Sequence, residues 1–194
     1  MQRLARLLLA AAAISFAASA MAESDLLARA LTAEDRGRLA KFEEVRAQSV
    51  KVAREGGDAS AIATLEEILR GDGEPILGVD IRGDYSCRVA KLDGILPLVV
   101  YDWFRCEIGE DDIGYRLRKV SGSQRLSGHF IDDSEASLVF YGAGHYADEE
   151  PRSYGDPERN IVGRFLKVGE DRYRLEMPLP RVESKFDILE LEGG

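Results

Sequence analysis

The chain is short of the residues from which metal and redox sites are built. Two cysteines and two histidines in 194 residues leave too few soft ligands for a four-ligand zinc site. No Cys-x-x-Cys pair is present to suggest a redox centre. Positive charge is also in deficit: 26 lysines and arginines stand against 35 aspartates and glutamates, a formal charge of -9. Such a chain lacks the basic face that nucleic acid or an anionic membrane needs from its main partner. Its apolar runs fall short of the roughly 20 residues that span a bilayer as a helix, so no stable membrane insertion is expected. Gly-x-Ser-x-Gly elbows, phosphate-binding loops, calcium-loop spacing, internal repeats and low-complexity tracts are all missing. No cofactor and no metal are implied. What is present, 31% charged and 45% hydrophobic residues, is the composition of one globular domain or at most two.

Met1 to Ala22 reads as an address. Arg3 and Arg6 begin it, Leu7 to Ala20 is an apolar run of 14 residues, and Ala20-Met21-Ala22 offers small residues around a signal-peptidase cut. The expectation is cleavage near Ala22 and a periplasmic or secreted chain from Glu23. No cysteine lies near the cut to carry a lipid anchor. Loss of two arginines and no acid moves the charge from -9 to -11. In an oxidising compartment Cys87 and Cys106 are expected to form a disulfide.

Two regimes follow, a helical hairpin over 23–71 and an antiparallel β domain over 72–194. Thr32 is an N-cap with Asp35 in the capping-box place. Leu39, Phe42, Val45, Ser49 and Val52 mark one face of a helix ending at Gly56-Gly57. Asp58 caps a second helix, striped by Ile62, Leu65, Ile68 and Leu69 and stopped by Gly71. Both stripes are read as covering the rest of the fold. Beyond Pro75 the period falls to two. Strands are predicted near 83–92, 98–108, 114–120, 124–132, 136–146, 160–168, 172–179 and 184–191. Short connections such as Gly169-Glu170-Asp171 make neighbours antiparallel, hence a small up-and-down barrel, lipocalin-like, or a sandwich.

Placing Cys87 directly opposite Cys106 pairs Val89 with Phe104 and Tyr85 with Ile108, an all-apolar face. A disulfide closing this loop contributes about 3 kcal/mol in the chain-entropy model, a structural role. The same register sets Arg88 opposite Arg105, a like-charge pair, read as two side chains bending into water or as a candidate anion site.

His129 and His145 each follow a glycine, and could meet near Asp132 or Asp148 as weak metal-ligand candidates; no nucleophile motif accompanies them. The acidic clusters Glu110-Asp111-Asp112, Asp132-Asp133 and Asp148-Glu149-Glu150 read as solubilising turns. Gly128, Gly142, Gly144 and Gly163 mark barrel bends or leave room for a ligand. Tyr85, Phe104, Phe130, Phe140 and Phe165 are the candidate ligand-lining residues, in an interior that is either filled or hollow. A ligand barrel is expected to hold an apolar cavity of at least about 300 Å³.

Leu31-Thr32-Ala33-Glu34-Asp35-Arg36, Tyr85-Ser86-Cys87-Arg88-Val89 and Tyr101-Asp102-Trp103-Phe104-Arg105-Cys106-Glu107-Ile108 resemble the proteobacterial family named only as domain of unknown function 4893. That resemblance implies an exported protein of about this length with no assigned activity. A weaker likeness is to periplasmic lysozyme inhibitors, disulfide-stapled β-barrels that insert a Ser-Gly loop into the enzyme. Ser121-Gly122 and Ser127-Gly128 are the counterparts here, but Arg125 and Ile131 stand where that motif has tyrosine, and the helices are not part of it. The leading reading is a non-catalytic exported barrel binding an unknown small ligand or an envelope protein. The alternatives are a lysozyme or cell-wall hydrolase inhibitor and, third, a hydrolase using His145 with a nearby carboxylate.

Overall fold

Residues 26–193 are described by the structure, a computed structural model; the leader expectation and its cut at Ala22 lie outside them. Four helices precede the strands: α1 (residues 26–30), α2 (Ala33–Ala40), α3 (Phe42–Gly56) and α4 (Ala59–Ile68). Thr32 caps α2, its Oγ1 accepting from the Asp35 N–H at 3.1 Å. The capping-box role expected of Asp35 is not taken up. Its carboxylate is buried and accepts from the Thr32 hydroxyl, Arg38, Tyr154 and Asn160, while the Thr32 N–H goes to the Tyr154 hydroxyl. The first helix is also not continuous: Lys41, with φ -94° and ψ 6°, separates α2 from α3. Asp58 caps α4 as its sequence position predicts, accepting from the N–H groups of Ser60 and Ala61.

Nine strands follow: β1 (Gly83–Leu92), β2 (Leu98–Val100), β3 (Phe104–Asp111), β4 (Gly114–Lys119), β5 (Gln124–Ser134), β6 (Ser137–Tyr146), β7 (Asn160–Gly169), β8 (Arg172–Pro178) and β9 (Phe186–Gly193). All pairings between them are antiparallel, and β9 returns to β1. Eight strands therefore close a barrel, with β2 as an extra strand. The strand expected over 98–108 is two, parted at Tyr101-Asp102-Trp103. They share one edge of β1, whose first half pairs β3 and whose last three residues pair β2.

The disulfide is formed, with Cα atoms 5.8 Å apart, but on a diagonal. Tyr85 faces Cys106 and Cys87 faces Phe104, two residues off the expected register. An even slip keeps every side chain on its face, so the alternation of faces is right although the partners are not. The correction matters for Arg88 and Arg105, which are not opposite each other. Arg105 faces Ser86, and Arg88 faces Glu190 on β9.

Apolar side chains alternate inward along each strand and fill much of the lumen, while α3 and α4 cover the outside of the barrel. Phe42, Val50, Leu65 and Ile68 pack there on Leu92, Leu98, Phe186 and Ile188. Leu31 reaches Val139 and Val162 farther round. Gly128 and Gly142 pair across β5–β6. A Cβ on Gly128 would sit 2.7 Å from Phe140 Cζ, so the room these two glycines leave is taken by an aromatic ring, not by a ligand.

Candidate functional site

The two halves of the lumen differ. In the half at the N-terminal end of β1, Tyr173 stacks on Phe165 at 5.3 Å, Phe130 lies 4.8 Å from Phe165, and Tyr85 meets Tyr173 edge-on at 5.7 Å. The Tyr85 hydroxyl is satisfied by the Ile81 carbonyl at 2.7 Å. Tyr85, Phe130, Phe140 and Phe165, four of the five aromatics expected to line a ligand site, thus make a packed core. Phe104 alone borders the cavity.

That cavity, of about 200 Å³, occupies the opposite mouth, smaller than the 300 Å³ expected because the aromatic stack fills the rest. Every barrel strand contributes to its wall: Val89 from β1, Phe104 from β3, Lys119 from β4, Leu126 from β5, Gly144 from β6, Ile161 from β7, Met177 from β8 and Leu189 from β9. The rim is strained. Asp93, Leu179 and Glu183, in the β1–β2 and β8–β9 connections, have φ of 55°, 49° and 71°, a region non-glycine residues avoid and that recurs at functional sites.

Charge enters where strands run out. Lys91 continues the inward phase of Tyr85, Cys87 and Val89, and its Nζ lies 3.1 Å from Asp187 and 3.5 Å from Glu183. Burial pushes the Asp187 carboxyl up, against the pull of Lys91. Lys119 has no carboxylate partner among the described residues. Its ammonium donates to the carbonyls of Ser121 and Gln124, both at 2.8 Å, and lies 3.7 Å from the Phe104 ring centre. Burial, and then Arg125 and Lys91, push it down to about 8. The Arg125 Nε donates to the Gly122 carbonyl at 3.1 Å, and no acid pairs with it among the described residues. Arg159 and Arg181, also on the wall, are held by Glu149 and Glu34.

His145 pairs Arg125 across β5–β6, in the outward phase that His129 and Tyr141 share, and borders the cavity from the strand that carries Gly144. It is 7% exposed, and its buried Nδ1 has no hydrogen-bond partner among the described residues. Burial and then Arg125 lower its pKa from the usual histidine value, which leaves the ring neutral at pH 7. Among the described residues no carboxylate is bonded to it, although Glu149 lies near enough to act on its charge. His129 lies elsewhere on the outer face, bonded to Asp111 at 2.9 Å. The two histidines do not meet with Asp132 or Asp148, and no acid, histidine and cysteine cluster fit for a metal occurs among the described residues.

The remaining candidates are placed as follows. Arg88 is bonded to Glu190 at 2.5 Å and lies over Trp103, whereas Arg105 is exposed and faces Ser86, so the two arginines are diagonal neighbours and not a directly opposed pair. Ser127-Gly128 is buried inside β5 and presents no loop. Ser121-Gly122 is a turn at the mouth, the serine Oγ accepting from the Arg105 N–H at 2.8 Å. The residues that sequence reasoning passed over are Lys91, Lys119, Arg125 and Asp187. For Lys91 and Asp187 a signal existed, a charged side chain in the inward phase at a strand end.

Searches among curated proteins and among solved structures return no match. The match that does appear, over residues 28–191, takes in the helices, the disulfide and the whole barrel, and on it the chain belongs to the family described as domain of unknown function 4893.

Proposed function

We propose that the protein is an exported, non-catalytic binding barrel that takes one small ligand in its mouth. The observation that carries this is the 200 Å³ cavity walled by all eight barrel strands, a lumen left unfilled in a barrel whose other half is packed. Export is supported by the leader pattern of Met1 to Ala22 and by the Cys87–Cys106 disulfide, a bond that forms and persists in oxidising compartments and is rare elsewhere. An apolar cavity of 150 Å³ accepts benzene, so this one suits a ligand of about one ring or a short acyl chain.

Gly144 offers the test. A Cβ there would meet Ile161 Cδ1 at 3.4 Å and otherwise nothing nearer than 3.8 Å, so Gly144→Leu grows into the cavity without displacing backbone. Calorimetric titration with a panel of single-ring and six- to eight-carbon compounds should find binders for the unmodified protein. Gly144→Leu should lose them by tenfold or more while melting at a similar temperature. A panel with no binder, or a plugged variant that binds as well, would overturn the proposal.

A further inference from the structure

The mouth is cationic on an acidic protein. Of the charged groups lining it, Lys91 is answered by Asp187 and Glu183, Arg159 by Glu149 and Arg181 by Glu34. Glu158 stands at the exposed rim. Lys119 and Arg125 remain without an acid among the described residues, and they lie close enough that Arg125 acts on both Lys119 and His145. Two like charges in a partly desolvated wall repel, and water answers them poorly there.

From this juxtaposition we infer that the mouth binds an amphipathic anion, one acidic group on a small apolar body, with the acid held by Arg125 and the body on Val89, Leu126, Ile161 and Met177. The inference rests on the proposal that the mouth binds a small ligand. Each residue has a distinct part. Lys119 has its protons directed to two carbonyls and to the Phe104 ring, so it is a fixed charge that does not need to move. Arg125 spends its Nε on the Gly122 carbonyl, which anchors the side chain and leaves both terminal amino groups to form a two-bond contact with a carboxylate. A cationic ligand is excluded by the same field, and a neutral one forgoes it.

The test uses pairs that differ only in charge: phenylacetate against phenylacetamide, and hexanoate against hexanamide, titrated calorimetrically into the intact protein at pH 7. The acids should bind about tenfold or more tightly than the amides. Arg125→Gln should bring the acid down to the level of the amide and leave the amide unchanged, and Arg125→Lys should restore part of the difference. Equal affinity for acid and amide would overturn the inference while leaving the binding mouth intact. Binding of neither would overturn both. An acid preference that survives Arg125→Gln would refute the assignment of Arg125.

Discussion

Under the helices, buried charge is answered residue by residue, whereas at the mouth it is not. Glu176 has no exposure, yet it accepts from Arg46 at 2.6 Å and from Arg174 at 2.5 Å. Glu190, equally deep, is held by Arg88 and Arg172. Arg172 and Arg174 also donate to the carbonyls of Glu67, Ile68, Arg70 and Gly71, satisfying the acceptors that the end of α4 would otherwise leave open. Asp35 takes Arg38 in the same manner. At the mouth, Lys119 and Arg125 stand in the wall of a cavity with carbonyls as their nearest acceptors. Burial alone therefore does not separate structure from function here. Counter-charge does: the seam carries its own acids, and among the described residues Lys119 and Arg125 have none.

The comparison can be broken most forcefully at the seam. Glu176→Ala leaves the Arg174 guanidinium buried without its acid, and should cost about 3–5 kcal/mol in urea denaturation. Replacing Glu176 and Arg174 together by methionine should cost far less, because no charge is then stranded. Removing the disulfide as Cys87→Ala with Cys106→Ala should cost about 3 kcal/mol and leave ligand affinity at the mouth within twofold.

Acid should weaken the seam through its buried carboxylates. Burial raises the Asp35 carboxyl, but bonds from Tyr154, Thr32, Asn160 and Arg38 outweigh it and hold the group below its usual value of 3.8. A depressed folded pKa stabilises fully above the unfolded value and is lost as pH falls through the folded one. Stability should thus decline below about pH 4, and Asp35→Asn, which costs about 1–3 kcal/mol at neutral pH, should flatten that limb. The smallest effect on stability belongs to Arg125→Gln, within about 0.5 kcal/mol, although that variant should lose the preference for acids. A large loss of stability there would mark Arg125 as part of the seam's chemistry after all.

Much of this fold was legible in the sequence. Turn residues bounded the strands, and the inward phase of Tyr85, Cys87 and Val89 was read correctly. Three things were hidden for physical reasons. A register error of two leaves the face pattern untouched, so the diagonal disulfide and the true partners of Arg88 and Arg105 could not be seen in alternation. The polar phase Arg172, Arg174, Glu176 resembles a solvent face and is in fact covered by α3 and α4, because paired ions can be buried where single ones cannot. The mouth was missed because aromatics suggest a ligand wall, whereas Phe140 and Phe165 do their packing at the other end. Lysines at strand ends suggest solvent, and Lys119 turns back under the Ser121-Gly122 turn.

The most direct measurement is the titration of the Lys119 ammonium by nitrogen-detected NMR, without ligand and with saturating phenylacetate. An uncompensated mouth predicts a free value near 8, against the ordinary lysine value of 10.5. It also predicts a clear upward shift on binding, since a nearby anion favours the charged amine; affinity for the acid then falls as pH rises through 8. A Lys119 that titrates near 10.5 in the free protein, or one whose value does not move when the acid binds, would contradict the account.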